Sequence, residues 1–260
     1  MQILHIFSPL KPSLNFYKCF KTKIKYPVMP FERVWDASCP HVWDRWESDG
    51  TSWIIQDLPP EDDEEALDIL LKHLCTDEVL CALNDLVNDP ESIRGASDLW
   101  RSSFKKRTTL ACYAESGGKR KLVAVNVCSV KEKEDDAKLE LEGQKWINVY
   151  KVLEYMEEKI DGFEYLGLDK ALSALGLVVH RDYRGKKLGA KLLAAREPLC
   201  RHLGIKGTVT IFTGVAAQKS AESCGFTTIL EMTVKDFADI GMDYPKNDLR
   251  LIKYMVKKYD

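Results

Sequence analysis

LGLVVHRDYRGKKLGAKLL, Leu175 to Leu193, is the stretch whose reading decides the fold. It opens as a strand, with the apolar run Leu175-Gly176-Leu177-Val178-Val179, and closes as a helix. Leu188, Leu192 and Arg196 fall on one helical face, with Ala190, Leu193 and Ala194 beside it. Between them lie Arg181, Arg184, Lys186 and Lys187, with Asp182 as the only acid in the segment. A helix start carries a positive partial charge, so each exposed cation there costs roughly 0.3–1 kcal/mol. An anion that binds at the turn would reverse that balance. Main-chain N–H groups from Gly185 to Ala190 would point at it, and Gly185 and Gly189 would let it come close.

The surroundings give the turn a place in a sheet. Gly207 to Phe212 reads as a strand, so strand, basic turn, helix and strand form a parallel crossover, whose first turn is a common anion site. Ala216 to Cys224 reads as a helix stopped by Gly225, and Thr227–Met232 and Leu249–Lys257 as the last strands. Upstream, Trp53 to Leu58 is a short strand ended by Pro59-Pro60. Acids Glu61 to Glu65 begin a helix carrying Leu67, Leu70, Leu71 and Leu74 at helical spacing. A second helical pattern runs from Val79 through Leu83, Leu86 and Val87, and a third from Glu91 to Lys106. Thr109–Glu115 and Leu122–Val130 alternate with period two and join at Gly117-Gly118, which predicts a hairpin. Lys131 to Glu142 is a charge run expected to be a solvated loop, and Val149, Val152, Leu153, Met156 and Ile160 restore helical spacing. The order predicts a mixed α/β fold, with an antiparallel hairpin and a parallel strand pair in one sheet.

The totals set limits. A chain of 260 residues with 45% hydrophobic and 30% charged residues suits a globular protein with a sizeable core. A net charge of −2 argues against a nucleic-acid-coating surface. No run approaches the roughly 20 apolar residues of a membrane span. The eight cysteines are scattered and include no Cys-x-x-Cys pair, so reduced buried thiols are expected and no metal site. Residues 1–30 hold Lys11, Lys18, Lys21, Lys23 and Lys25 and no acid. They read as a flexible basic extension before a single domain at 31–260, whose lead-in at 31–50 is rich in tryptophan. A cytoplasmic location is expected, or a mitochondrial one if the basic leader is a targeting segment.

Leu177-Val178-Val179-His180-Arg181-Asp182-Tyr183-Arg184-Gly185-Lys186-Lys187-Leu188-Gly189 resembles the acetyl-CoA signature of the GNAT superfamily of N-acetyltransferases. Arg181 stands where that pattern often has Pro, and Lys187 where it often has Gly. Ala221-Glu222-Ser223-Cys224-Gly225-Phe226 is similar to the family's helix that ends in Gly-Phe. Asp77-Glu78-Val79-Leu80 resembles the Asp-Glu-Pro-Leu element of the insect arylalkylamine N-acyltransferases, with Val for Pro.

The resemblance implies a GNAT fold. Its sheet would be mostly antiparallel, with one parallel pair splayed at the acyl-CoA site and a cofactor-binding core at 172–230. It implies transfer of an acyl group, normally acetyl, from its CoA thioester to a small primary amine. Leu177, Val178, Val179, Arg184, Gly185, Lys186, Lys187, Leu188, Gly189 and Ala190 would bind acetyl-CoA. An amine of pKa about 10 is protonated at pH 7, and removing that proton costs ~4 kcal/mol, so a general base is expected. The resemblance assigns that role to Glu78, whose other reading is as the cap of the helix at Val79. Thr213 approximately matches a catalytic serine of the insect branch. Ala221 stands where many members carry a Tyr acid, and Ala217 replaces a second serine. A monomer acting without metal, nucleic acid or membrane is the expectation. The alternatives are a protein lysine or N-terminal acetyltransferase, and a CoA-binding interaction module.

Overall fold

A computed structural model describes residues 31, 33–133 and 141–260. The basic extension at 1–30 and most of the charge run after Lys131 lie outside the described residues. Eight strands form one sheet in the order β1-β2-β3-β4-β5-β6-β8-β7. They are β1 (Val42–Ser48), β2 (Thr51–Asp57), β3 (Leu110–Ser116), β4 (Lys119–Glu132), β5 (Lys170–Val179), β6 (Gly207–Phe212), β7 (Thr227–Thr233) and β8 (Leu251–Lys258). Every neighbouring pair is antiparallel except β5–β6, as the resemblance implied. Among the described residues no helix is long and apolar enough to cross a membrane.

Helices cover both faces, which is why the central strands are apolar on both sides. On β3, Ala111 and Tyr113 pack with the Asp63–Ile69, Pro90–Lys105 and Gln144–Lys159 helices, while Leu110, Cys112 and Ala114 pack toward the Leu188–His202 helix. Each fully buried Leu, Val or Phe contributes about 1.5–3 kcal/mol. Cys75, Cys81, Cys112, Cys128 and Cys200 are free thiols inside these layers. Burial pushes Cys112 up to about 12 and Cys128 up to about 11, so neither is a ready thiolate.

The lead-in is a working part of the sheet. Val42–Ser48 is an edge strand paired with β2, and its register shifts between Val42 and Asp44. That shift breaks the clean alternation by which a strand is read. Buried Asp57 anchors the segment: it accepts from Arg33 Nη1 and Nη2 at 2.7 and 2.8 Å, from His41 N at 2.8 Å and from Trp43 Nε1 at 2.8 Å.

Three further departures from the sequence reading shape the site. The helix predicted through Leu74 changes at Leu70 to a wider π turn, Leu70–Leu74, then a short helical turn at Cys75–Asp77. The next helix stops at Leu83, and Leu86–Asn88 is a separate 3-10 turn. Short helices at Gly162–Leu166 and Val234–Asp239 were not legible as periodic patterns, because each spans less than two turns.

Candidate active site

Strands β5 and β6 pair only at Leu172–Thr208 and Ser173–Val209, and then they diverge. The cause lies on the other side of β5. Asn126 of β4 opposes Leu177, whereas Cys128 opposes Ala174, so β5 carries one extra residue at Leu175–Gly176. This bulge bends β5 away from β6. Its carbonyls are satisfied by side chains: Trp100 Nε1 donates to Leu175 O and Asn126 Nδ2 to Gly176 O, each at 2.8 Å. Gly176 has φ +136°, and a Cβ there would sit 3.2 Å from Leu70 Cδ2 of the π turn. Glycine is needed both for the conformation and for the close approach.

The fork opens into a cleft of about 510 Å³. One end is the basic turn. There Lys187 has φ 59°, a left-handed conformation that costs a non-Gly residue about 1–2 kcal/mol. Among the described residues, the N–H groups of Gly185 to Ala190 donate no main-chain or side-chain hydrogen bond. A Cβ on Gly189 would meet nothing nearer than 3.7 Å, so its face is open. Unpaired donors, a helix start and adjacent cations make a fitting receptor for a diphosphate.

Of the residues expected to bind CoA, Leu177 to Val179, Arg184, Gly185 and Lys187 to Gly189 line the cleft. Lys186 and Ala190 do not. The Lys186 ammonium is turned to Asp49, 3.7 Å away, and lies over the Trp53 ring. Ala190 O accepts from Cys224 Sγ at 3.3 Å.

The crowding of cations also has an internal answer that the segment alone hides. Asp77 accepts from Arg181 Nε and Nη2 at 3.0 and 2.6 Å and from Arg184 Nη2 at 2.7 Å. Asp182 is therefore not the only acid offsetting them. Hydrogen bonds from Arg181, against an opposing push from burial, and then from Arg184 hold the Asp77 carboxyl down to about 2. The folded value lies below the ordinary 3.8, so this contribution to stability is complete above pH 4 and disappears as pH falls toward 2. Thermal melts of wild type and Asp77→Asn should therefore differ at pH 5–7 and converge near pH 2. A constant difference across that range would show that the pairing carries no linkage.

Glu78, the next residue after Asp77, caps the Val79–Leu83 helix. Its Oε1 and Oε2 accept from Leu80 N at 3.0 Å and Cys81 N at 2.7 Å. Glu78 also lines the cleft, as do Trp100, Trp146 and Leu153. The capping and cleft-facing roles thus coincide in one side chain. Thr213 follows the last residue of β6 and lines the cleft, as do Ala217 and Ser220. Ala221 is fully buried under that wall and offers no acid. His180 and Tyr183 pack together with ring centroids 5.7 Å apart, and Tyr183 rests edge-on against Trp53.

Two cleft residues escaped the sequence reading. The His73 ring packs at a tilt against His180, with centroids 4.4 Å apart. Burial first, and then His180 and the neighbouring arginines, hold its imidazole below the ordinary histidine range. Nothing in its local sequence marks it. Arg196 is fully buried yet lines the cleft. Its signal was visible: a cation on the apolar face of its helix. Among the described residues, no group of three or more His, Cys, Asp or Glu could hold a metal ion.

The model of the acetyltransferase (GNAT) family matches residues 101–226. Among curated protein sequences, none matches the chain. By structure the chain is similar to a protein of the yellow fever mosquito Aedes aegypti described as a candidate arylalkylamine N-acetyltransferase 7. The two are 27% identical with a TM-score of 0.82, over 88% of this chain and 99% of that one. The fold is also that of arylalkylamine N-acetyltransferase 2 from Aedes aegypti, at 20% identity and TM-score 0.69 over 80% and 99% of the two chains. Drosophila melanogaster polyamine N-acetyltransferase shares it too, at 18% identity and TM-score 0.63 over 79% and 99%.

Proposed function

Because this chain carries an N-acetyltransferase domain of the GNAT family, we propose that it moves an acetyl group from acetyl-CoA to the nitrogen of a small primary amine of arylalkylamine type. The observation that carries this reading is the continuity of the cleft. Its lining takes in the basic turn, the fork between β5 and β6, and Glu78. The mosquito relative at 27% identity supports an arylalkylamine acceptor. The cleft wall around Trp100, Trp146, Val149 and Leu153 supports it as well, because an aryl ring gains more than a peptide would from apolar enclosure.

The residues divide the work. Gly185 and Lys187 to Gly189 present N–H groups to a diphosphate, and Lys187 adds charge beside it. Leu177 to Val179, paired to β4 on one side and without β6 pairing on the other, offer main-chain groups along the cleft. Acetyl-CoA supplies the activated acyl group. Glu78 takes the ammonium proton of the amine, directly or through a water, so that a free electron pair can attack the acyl carbon. The tetrahedral intermediate places charge on the former carbonyl oxygen, for which main-chain N–H groups at the freed end of β5 are the available donors. Thr213, which lines the cleft as Ser220 does, is assigned in this reading to serve the departing thiolate.

The test is direct. Acetyl-CoA should raise the Tm of the full chain in a saturable way. Thiol release should follow with tryptamine- or dopamine-like amines, and not with lysine peptides. Thermal protection without thiol release from any amine would reduce the chain to a CoA-binding module. Release with peptides alone would make it a protein acetyltransferase.

A further inference from the structure

Arg196 is 0% exposed in the middle of the Leu188–His202 helix, beneath the point where β5 and β6 part. No ion pair to it is formed among the described residues; its partners are neutral. Nε donates to Asn126 Oδ1 at 2.8 Å, and Nη1 donates to Thr210 Oγ1 at 2.8 Å and Thr208 Oγ1 at 3.2 Å. Asn126 in turn donates to Gly176 O at the β5 bulge. The chain of bonds therefore runs from β5 through Asn126 and Arg196 to β6. It spans the fork where main-chain pairing has stopped. A buried cation is costly unless its donors are used, yet Nη2 has no partner. Arg196 and Thr210 both line the cleft. A buried, unpaired donor on the wall of a ligand cleft calls for an acceptor brought by the ligand.

We propose that Arg196 is a positioning residue of the fork, bracing β5 against β6 through Asn126 and Thr210, and that its free Nη2 donates to a carbonyl oxygen of the pantetheine or thioester arm of acyl-CoA.

This inference rests on the acyl-CoA reading of the cleft, and the test separates the two. The probes are CoA, acetyl-CoA and 3′,5′-ADP, which keeps the phosphates of the nucleotide end but lacks the pantetheine arm. Their Kd values would be measured by calorimetry on wild type, Arg196→Met and Arg196→Lys. Lys keeps charge and length without the fork, so it gives a folded comparison if Met does not. Loss of one charge-assisted hydrogen bond corresponds to about tenfold or more in Kd. Both variants should bind CoA at least about tenfold more weakly, while 3′,5′-ADP stays within about twofold of wild type. Equal losses for CoA and acetyl-CoA would assign the donor to a pantetheine amide, and a larger loss for acetyl-CoA to the thioester carbonyl. CoA affinity retained within about twofold, or 3′,5′-ADP weakened as much as CoA, overturns the proposal; the second result would mean general damage to the fold. Failure of wild type itself to bind CoA would sink the functional reading, and this inference with it.

Discussion

Glu78→Gln is expected to lower kcat/KM for the amine by well over tenfold near pH 7, with the Kd for acetyl-CoA nearly unchanged. Glutamine keeps the size of the side chain and removes its ability to take a proton. The barrier that the base lowers is the ~4 kcal/mol needed to free an amine of pKa about 10 at neutral pH. Raising the pH should restore part of the lost rate, because solvent then supplies the free amine. The structure adds a second effect. Both carboxylate oxygens accept main-chain N–H groups at the start of the Val79–Leu83 helix. An amide NH₂ cannot accept, so the cap weakens by about 1 kcal/mol, read as a lower Tm. The two effects separate because stability loss does not vary with the pH of the assay as the base requirement does. A variant that kept kcat/KM within threefold of wild type across pH 7 to 9 would leave Glu78 as a cap alone.

Gly189→Glu should show a still larger split between binding and stability. The site for a Cβ is open, with Ser220 Oγ at 3.7 Å and Leu177 Cδ2 at 3.9 Å, both ordinary contact distances. A carboxylate in the first turn of the Leu188–His202 helix suits the helix dipole, worth about 0.3–1 kcal/mol. It also meets the nearby lysines. The Tm of the free protein should therefore hold or rise. The same charge would occupy the receptor that we assign to the diphosphate, and acetyl-CoA affinity should fall by about a hundredfold, the equivalent of roughly 2.7 kcal/mol. Gly189→Ala, carrying only the methyl, should lose far less. Retention of acetyl-CoA binding by Gly189→Glu within about threefold would place the phosphates elsewhere.

These two variants draw on different kinds of information. Gly189 could be chosen from its place in an apolar-strand, basic-turn, amphipathic-helix sequence, because a helix start is a local object built by neighbouring residues. The same holds for the hairpin at Gly117-Gly118 and for the acid-led helix after Pro60. The edge strand Val42–Ser48 was opaque for the opposite reason. Its signal is disturbed by a register shift against β2, and its anchor, Asp57, gathers Arg33, His41 and Trp43 from separate places in the chain.

The pairing of charges at the site shows the same division. Read locally, Arg181 and Arg184 lack partners; in the fold, Asp77 arrives from more than a hundred residues away to hold both. Glu78 stood in the sequence as either a cap or a base, and its position makes it a cap that also faces the cleft.

Periodicity, turn chemistry and charge placement along the chain were enough to establish the strand order of the crossover, the basic turn at the start of the Leu188–His202 helix and the mixed α/β class of the fold, since each arises from residues within a few positions of one another. The bulge that parts β5 from β6, the π turn that brings Leu70 against Gly176, and the buried Arg196 spanning the fork came into view only with the packed molecule. Each depends on contacts between segments far apart in the chain, where burial and register set the outcome and local pattern carries no record of it.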